Sequence, residues 1–189
     1  MIRIDIPDEH GHDPYSYASA NHAREIMAAA SDFSKAVYTR SQLSLREFEG
    51  ARSRTAQING CIICQQFRAA RDAPAMFSAT GTRPDHLVSD NGPAPDEAFY
   101  EAVSDWRTSP VFSTRERLAI EFAERFAEEP KVLAADEDFW TRTKAEFSDG
   151  EIVDLAHSVA SWVGLGRVAH VLGFDSVCLP FAQPETEAA

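Results

Sequence analysis

Residues 44–64 read SLREFEGARSRTAQINGCIIC, and this stretch combines a helix signature with a pair of cysteines. The Ser44 hydroxyl can accept a hydrogen bond from the Glu47 amide while the Glu47 side chain reaches back, which is a capping box. We therefore predict a helix that starts here and continues until an Asn-Gly pair interrupts it. A further helix is predicted to begin near Cys61 and to run to about Asp72.

The rest of the chain also reads as helices. Ser113–Glu116 and Ser148–Glu151 are two more capping boxes, and each opens a predicted helix. Residues 17–38 contain no Pro or Gly and repeat apolar residues every three or four positions, which predicts one amphipathic helix. The segment 80–95 is rich in Gly and Pro and is predicted to be a long loop. We predict an all-α fold of six to eight helices, because no segment longer than five residues alternates like a β-strand.

Length and charge indicate the class of protein and its partners. A chain of 189 residues fits one domain, which we assign to residues 1–189 with an N-terminal arm at 1–16 and a frayed tail at 180–189. The formal net charge of −12 at pH 7 repels phosphate backbones and anionic lipid surfaces, so we expect neither a nucleic acid nor a membrane as a partner. The sequence shows neither a signal-peptide core nor an apolar run of the ~20 residues that span a bilayer, so the expected location is cytoplasmic.

Cys61 and Cys64 form the most informative motif in the chain, a Cys-Ile-Ile-Cys sequence at the start of a predicted helix. A helix start lowers the pKa of a thiol, and a spacing of three residues lets both sulfurs meet on one face. The motif therefore predicts a pair that cycles between dithiol and disulfide, with neither a metal nor another cofactor. Zinc would need two further ligands, and two buried cysteines without chemistry are the remaining alternative.

Glu49, followed after eleven residues by Cys61-x-x-Cys64 between two helices, resembles the carboxymuconolactone decarboxylase / alkylhydroperoxidase-D-like (AhpD-like) family. The resemblance is to the two-repeat members of this family and extends over roughly Arg24 to Gly173. Three segments of the second half contribute to it, namely Thr114–Glu121, Phe147–Leu155 and Gly164–Arg167.

The resemblance implies an all-α AhpD-like helical bundle that assembles into homo-oligomers and acts as a thiol-dependent peroxidase or disulfide reductase. In the peroxidase members a glutamate, the cysteine pair and a histidine four residues after the second cysteine form a proton relay. Glu49, Cys61 and Cys64 match these positions, but Arg68 stands where the histidine is expected. Arginine does not titrate at neutral pH, although it can hold a thiolate or a carboxylate by charge.

The predicted site comprises Glu49, Cys61, Cys64 and Arg68, and the roles of these residues stay open at two points. Arg68 either stabilises the Cys64 thiolate while Glu49 moves protons, or it pairs with Glu49 and leaves a weaker peroxidase. The resemblance favours Cys64 as the attacking thiol and Cys61 as the resolving one, whereas the helix start alone favours Cys61. We also expect the Cα atoms of the two cysteines to lie about 4.4–6.8 Å apart.

The expected function is that of an antioxidant oxidoreductase, which reduces a hydroperoxide or another small-molecule substrate. We expect a thiol reductant as its partner and a homo-oligomer as its working form. A decarboxylase or lactone-type enzyme of the same family is the alternative, and it would use arginines such as Arg52 or Arg167 to hold an anionic substrate. A non-catalytic oligomeric protein is the third hypothesis. His157 and His170 are expected to be core histidines, and Arg52 and Arg54 to lie on a solvated face or to contact an acidic neighbour.

Overall fold

The computed structural model describes residues 1–78 and 84–176, and in these ranges it contains ten α-helices and no β-strand. The predicted all-α fold is therefore confirmed, although the sequence predicts six to eight helices. The number is higher because two predicted helices are each divided in two and a five-residue helix follows α7. The helices are α1 (Pro14–Asn21), α2 (Arg24–Arg40), α3 (Leu45–Asn59), α4 (Ile62–Gln66), α5 (Ala69–Ser78), α6 (Glu97–Ala102), α7 (Thr114–Glu128), α8 (Pro130–Ala134), α9 (Glu137–Glu146) and α10 (Asp149–Leu172).

Two predicted helices are divided by local backbone geometry. Between α1 and α2, Ala23 has a φ of 47°, a left-handed conformation that stops a helix from continuing. Between α4 and α5, Phe67 is extended, with a φ of −66° and a ψ of 138°. α5 then continues through Pro74, so the predicted end of this helix before the proline is wrong. The proline ring fixes φ at about −65°, which a helix accommodates with the loss of one backbone hydrogen bond.

All three predicted capping boxes are present. Ser44, Ser113 and Ser148 each accept a hydrogen bond from the amide three residues on, and the glutamate there bonds back to the serine amide. They start α3, α7 and α10, and these three helices pack against one another at the centre of the bundle. Apolar side chains of these helices and of α2, α5 and α9 build the main core, which includes Val37, Leu45, Phe48, Phe77, Leu118, Phe122, Phe139, Leu155 and Val159.

Two reciprocal ion pairs join α3 and α7 at their N-terminal ends. Arg46 on α3 binds Glu116 on α7 with an Nε–Oε1 distance of 2.5 Å, and Arg115 on α7 binds Glu47 on α3 at 2.5 Å. Each arginine stands two positions after the capping serine of its own helix and reaches the capping glutamate of the other helix. The side chains that cap the helices therefore also hold them together.

Several predictions concern the loop 80–95 and the two ends of the chain. The predicted loop 80–95, where it is described, contains a 3₁₀ turn at Val88–Asp90. The predicted N-terminal arm includes the start of α1, and its Arg3 amide donates to the Leu172 carbonyl at 3.0 Å. The frayed tail at 180–189 lies outside the described residues, and the domain limits stay predictions. In the described part of the chain, no helix is both long and apolar enough to cross a membrane.

Candidate active site

Cys61 and Cys64 lie at the start of α4, where the chain turns back after α3. Gly60 has a φ of 69°, a left-handed conformation that glycine adopts without strain, so the chain leaves α3 and enters α4 within two residues. The two cysteines form a disulfide with their Cα atoms 5.3 Å apart, which confirms the predicted proximity. The Cys61 sulfur also accepts a hydrogen bond from the Cys64 amide at 3.3 Å.

The two cysteines differ in accessibility. Cys61 is 1% exposed, whereas Cys64 is partly exposed and lines a cavity of about 220 Å³. A small molecule that enters this cavity therefore meets Cys64 and not Cys61. Most of the cavity wall is apolar or aromatic, and it includes Tyr38, Ala56, Ile63, Phe67, Met76, Trp162, Leu165 and Ala169.

A buried ion pair lies beside the cysteine pair, between Glu49 and Arg52 on α3. Arg52 donates from Nε to Glu49 Oε1 at 2.6 Å and from Nη2 to Oε2 at 3.0 Å, and the side chains are 3% and 0% exposed. Arg52 also donates to the carbonyl oxygens of Cys64 and Phe67, each at 2.6 Å. It therefore ties α3 to the end of α4, and because it satisfies carbonyls at that end, α4 can stop before α5 begins.

Arg52 is a fixed positive charge. Burial acts against this charge, but the adjacent Glu49 carboxylate raises the pKa of the guanidinium above its usual range. From the sequence, Arg52 and Arg54 are expected either on a solvated face or in contact with an acidic neighbour. The solvated face is wrong for Arg52, which binds Glu49. The contact with an acidic neighbour is confirmed for both residues, since Arg54 binds Glu124 at 2.7 Å. The three-residue spacing from Glu49 is the signal in the sequence that points to this pair.

Tyr100 on α6 completes the buried cluster. Its hydroxyl donates to Glu49 Oε2 at 2.5 Å. Burial, together with the Glu49 carboxylate, raises the pKa of the phenol, so that it remains a donor at neutral pH. The ring of Tyr100 also lies under the Arg68 guanidinium, whose Cζ is 3.8 Å from the ring centroid. Sequence reasoning misses Tyr100, because it lies 51 residues after Glu49 and no local pattern links the two.

Arg68 precedes α5 and binds an acid other than Glu49. Its Nη2 and Nε donate to the Glu97 carboxylate at 2.9 and 3.1 Å, and its Nη1 donates to two backbone carbonyls. A direct pair with Glu49 is therefore not formed, and the two residues are linked through Tyr100. The catalytic roles assigned to the four residues of the predicted site stay predictions.

The two histidines of α10 are not the core residues that the sequence predicts. His157 is exposed, and its Nδ1 lies 2.8 Å from the Val153 carbonyl oxygen. The side chain of His170 is 48% exposed, and its Nδ1 lies 2.8 Å from Asp175 Oδ2. Because α10 carries apolar residues around most of its circumference, its sequence pattern does not show which face is buried.

The site brings together a thiol pair, a fixed cation and an apolar cavity. In the described ranges, no group of three or more His, Cys, Asp or Glu side chains is placed to hold a metal ion. Among the described residues that line the cavity, Arg52 alone carries a charge. The chemistry available to these groups is the interchange of dithiol and disulfide with a molecule that reaches Cys64.

The fold has a counterpart among solved structures. The crystal structure of a protein of unknown function from Agrobacterium tumefaciens, described as a candidate antioxidant defence protein AhpD, matches with a TM-score of 0.59. The match covers 95% of this chain and 99% of that chain, with 23% sequence identity. At this level of identity the comparison shows a shared all-α, AhpD-like fold.

A relative found by sequence matches over a shorter segment. YnjA, an uncharacterized protein of Escherichia coli K12, is 43% identical over 54 residues. These residues are 29% of this chain and 29% of the relative, so the alignment spans less than a third of either protein. No protein-family model matches the sequence. Membership of the AhpD-like family therefore stays a proposal.

Proposed function

We propose that this protein is an AhpD-like, thiol-dependent oxidoreductase whose Cys61–Cys64 pair reduces a hydroperoxide or a partner disulfide. The observation that carries the proposal is the disulfide at the start of α4, with Cys64 in the wall of an apolar cavity. Cysteines that serve only to pack need neither contact between their sulfurs nor access from outside. The fold shared with a candidate antioxidant defence protein of Agrobacterium tumefaciens supports the same class of function.

The proposed peroxidase cycle uses both cysteines. The Cys64 thiolate attacks the terminal oxygen of a hydroperoxide, an S–O bond forms, the O–O bond breaks, and the alcohol leaves after it takes a proton from water. Cys64 is then a sulfenic acid. The Cys61 thiolate attacks this sulfur, the S–S bond forms, the S–O bond breaks, and the hydroxide that leaves takes a proton from the solvent to become water. Two electrons have passed from the thiol pair to the peroxide, and an external dithiol restores the pair by exchange.

Accessibility supports Cys64 as the attacking thiol and Cys61 as the resolving thiol. Cys64 faces the cavity, whereas Cys61 is 1% exposed and can be reached by its neighbour but not by a bulky peroxide. The helix-start argument, which favours Cys61, carries less weight, because α4 has only five residues and so develops a small dipole.

The buried cluster supports the backbone of the site. Arg52 is a fixed cation, and the raised pKa of Tyr100 keeps its hydroxyl protonated. Both groups hold the Glu49 carboxylate, and Arg52 in turn holds the Cys64 carbonyl. We therefore assign Glu49, Arg52 and Tyr100 the task of fixing the backbone that carries Cys64.

The lactone or decarboxylase alternative requires a cation that is available to an anionic substrate. In the described part of the cavity wall, Arg52 is the one charged side chain, and Glu49 neutralises it. Arg167 donates to Asn59 and to the Ala127 carbonyl. These contacts favour redox chemistry at the cysteine pair over the binding of an acid.

Peroxide consumption with a dithiol reductant tests the proposed function. Cys64→Ser should abolish turnover, because the attacking thiol is gone, and Cys61→Ser should slow it sharply, because the sulfenic acid has lost its resolving partner. Cys178→Ser is the matched control, since it removes a thiol outside the motif, and it should retain wild-type turnover. Equal turnover in wild type and in Cys64→Ser would contradict the proposal.

We also propose that the working form is a homo-oligomer in the cytoplasm. Ile26, Val153, Val168 and Val171 are between 44% and 73% exposed, although side chains of this kind are usually buried. Association of subunits would cover them. Light scattering at micromolar concentration should therefore give at least a dimer, and a monomer would contradict this proposal.

A further inference from the structure

A second polar pair, His170 and Asp175, lies beside the cysteines. His170 Nδ1 is 2.8 Å from Asp175 Oδ2, and the same carboxylate oxygen accepts a hydrogen bond from the Ile62 amide at 3.2 Å. Ile62 is the residue that directly follows Cys61. One oxygen atom therefore connects the imidazole to the backbone between the two cysteines.

The end of α10 brings this pair into place. α10 is followed by Gly173, which has a φ of 76°, and the chain then forms a short 3₁₀ turn at Phe174–Ser176 that packs against α4. Asp175 is 6% exposed, whereas the His170 side chain is 48% exposed. The Nε2 edge of the ring faces Gly60, since it lies 3.4 Å from the position that a Cβ atom there would take.

The carboxylate is close enough to the Cys61 sulfur for its charge to matter. The Ile62 nitrogen is four covalent bonds from that sulfur, so with ordinary bond lengths the Asp175 oxygen lies within about 8 Å of it. This distance is shorter than the ~10 Å Debye length at 0.1 M salt. The burial of Cys61 and Asp175 reduces screening further.

We propose that His170 and Asp175 set the proton balance of the reduced cysteine pair. A protonated His170 cancels the Asp175 charge and so favours the thiolate of Cys61, while a neutral His170 leaves that charge uncancelled and disfavours it. Histidine suits this task, because its charge ordinarily changes between about pH 5 and 8. His170 is thus a positioning residue, which acts on the thiols through charge. The inference deepens the proposed function and rests on it.

The charged groups near His170 include the α-amino group of Met1, because the Met1 backbone packs against Gly173. This group is the same in every variant compared below. On α10 itself, Arg167 donates to Asn59 and to the Ala127 carbonyl. The N-terminal segment contributes Arg3, whose amide bonds the end of α10. The turn between α3 and α4 contributes the uncharged Gly60 and then the cysteine pair itself. Among the described residues, Asp175 is the acid that binds the imidazole.

The test uses the fully reduced protein with Cys178→Ser, in which Ellman's reagent modifies the accessible Cys64 and Cys61 then displaces the second thionitrobenzoate, at pH 6 and at pH 9. The rate of this second, intramolecular release reports the thiolate of Cys61 and requires no reagent to reach it. His170→Asn should slow the attack of Cys61 at pH 6 by about threefold to tenfold, because the cation that favours the Cys61 thiolate is lost. At pH 9, above the range in which histidine side chains ordinarily change charge, the two proteins should agree within about twofold. Asp175→Asn should not slow the reaction at pH 6, because it removes the negative charge instead.

His157→Asn is the matched control, because it removes an exposed histidine from the same helix about 20 Å away along its axis. It should alter neither rate. His170→Gln serves as a second variant, and circular dichroism verifies that each protein is folded. A merely structural role for His170 would change the rates at both pH values by the same factor, and that result would overturn the inference. Because this thiol exchange uses no peroxide, a failure of peroxide turnover would overturn the proposed function alone.

Discussion

α3 and α7 begin alike and then differ where the site is built. Both start with a capping box, and their arginines exchange ion pairs across the interface. Five positions after the capping serine, however, α3 has Glu49 and α7 has Leu118, and these side chains are 0% and 2% exposed. Since leucine fills this position well on α7, packing alone does not require a carboxylate on α3.

The two helices also end differently. α3 is followed by Gly60, which is left-handed and leads directly into the cysteine pair. α7 is followed by Glu129 and then by α8, a short helix without cysteines. The polar residue that α3 adds in its middle, Arg52, reaches the carbonyl of Cys64. The capping boxes and ion pairs that the two helices share therefore stabilise the bundle. The buried Glu49 and Arg52, which only α3 has at these positions, hold the cysteine segment in place.

The largest expected effect is on stability, and it comes from comparing the residues eight positions after the two capping serines. These residues are Arg52 on α3 and Glu121 on α7. Arg52→Leu leaves Glu49 buried without its cation and should lower the free energy of unfolding by about 3–5 kcal/mol. Glu121→Leu removes partly exposed ion pairs, and Arg125 keeps Glu129 and Asp136 as partners, so this variant should lower it by about 1 kcal/mol or less. Guanidinium unfolding curves of both variants measure the difference, and equal losses would contradict the special place of Arg52.

The second prediction concerns alkaline pH and the tyrosine that packs on α3. Burial raises the pKa of Tyr38 to about 12, whereas phenylalanines such as Phe122 on α7 do not titrate. A raised folded-state pKa means that the stability contribution is complete below pH ~10, the unfolded-state value, and is lost as the pH rises toward 12. The loss for Tyr38 is about 2–3 kcal/mol. Between pH 9 and pH 11.5, the free energy of unfolding should fall less steeply with pH for Tyr38→Phe than for wild type. The same pH dependence in both proteins would refute a raised pKa for Tyr38.

The third prediction tests the reciprocal ion pairs that the two helices share. Arg46 and Arg115 are each about 30% exposed, so loss of either pair should lower the free energy of unfolding by only about 1 kcal/mol. Arg115→Ala should have the larger effect, because Arg115 binds Glu151 as well as Glu47. Thermal unfolding of the two alanine variants gives the ranking, and a greater loss for Arg46→Ala would reverse it.

The smallest expected effect concerns Arg68, whose charge is shared with Glu97. Arg68→Gln should change the alkylation rate of Cys64 by less than about threefold, because the paired carboxylate already offsets the guanidinium. Glu97→Gln is the matched variant, since it frees the cation without removing it. A tenfold loss in Arg68→Gln would show instead that Arg68 stabilises the Cys64 thiolate directly.

Local signals in the sequence are sufficient to predict where the three central helices begin. The capping boxes at Ser44, Ser113 and Ser148 mark the starts of the three central helices, because capping is decided within four residues. The break at Phe67 is not visible locally, because a side chain from another helix, that of Arg52, satisfies the carbonyls at the end of α4.

The candidate site was predictable only where its residues are close in sequence. The cysteine pair follows from a three-residue spacing, and a disulfide between the two cysteines is present. Tyr100 and Asp175 reach Glu49 and Ile62 across 51 and 113 residues, so tertiary packing alone brings them to the site. No period or motif in the chain encodes such contacts.

The most direct test of the proposed redox function counts thiols in the native reduced protein before and after one equivalent of a hydroperoxide. The proposed cycle predicts the loss of two thiols per chain, joined as the Cys61–Cys64 disulfide, and no such loss in Cys64→Ser. A wild-type protein that retains all its thiols, or a Cys64→Ser variant that loses them as wild type does, would contradict the central claim that Cys64 is the peroxide-reactive member of a redox pair.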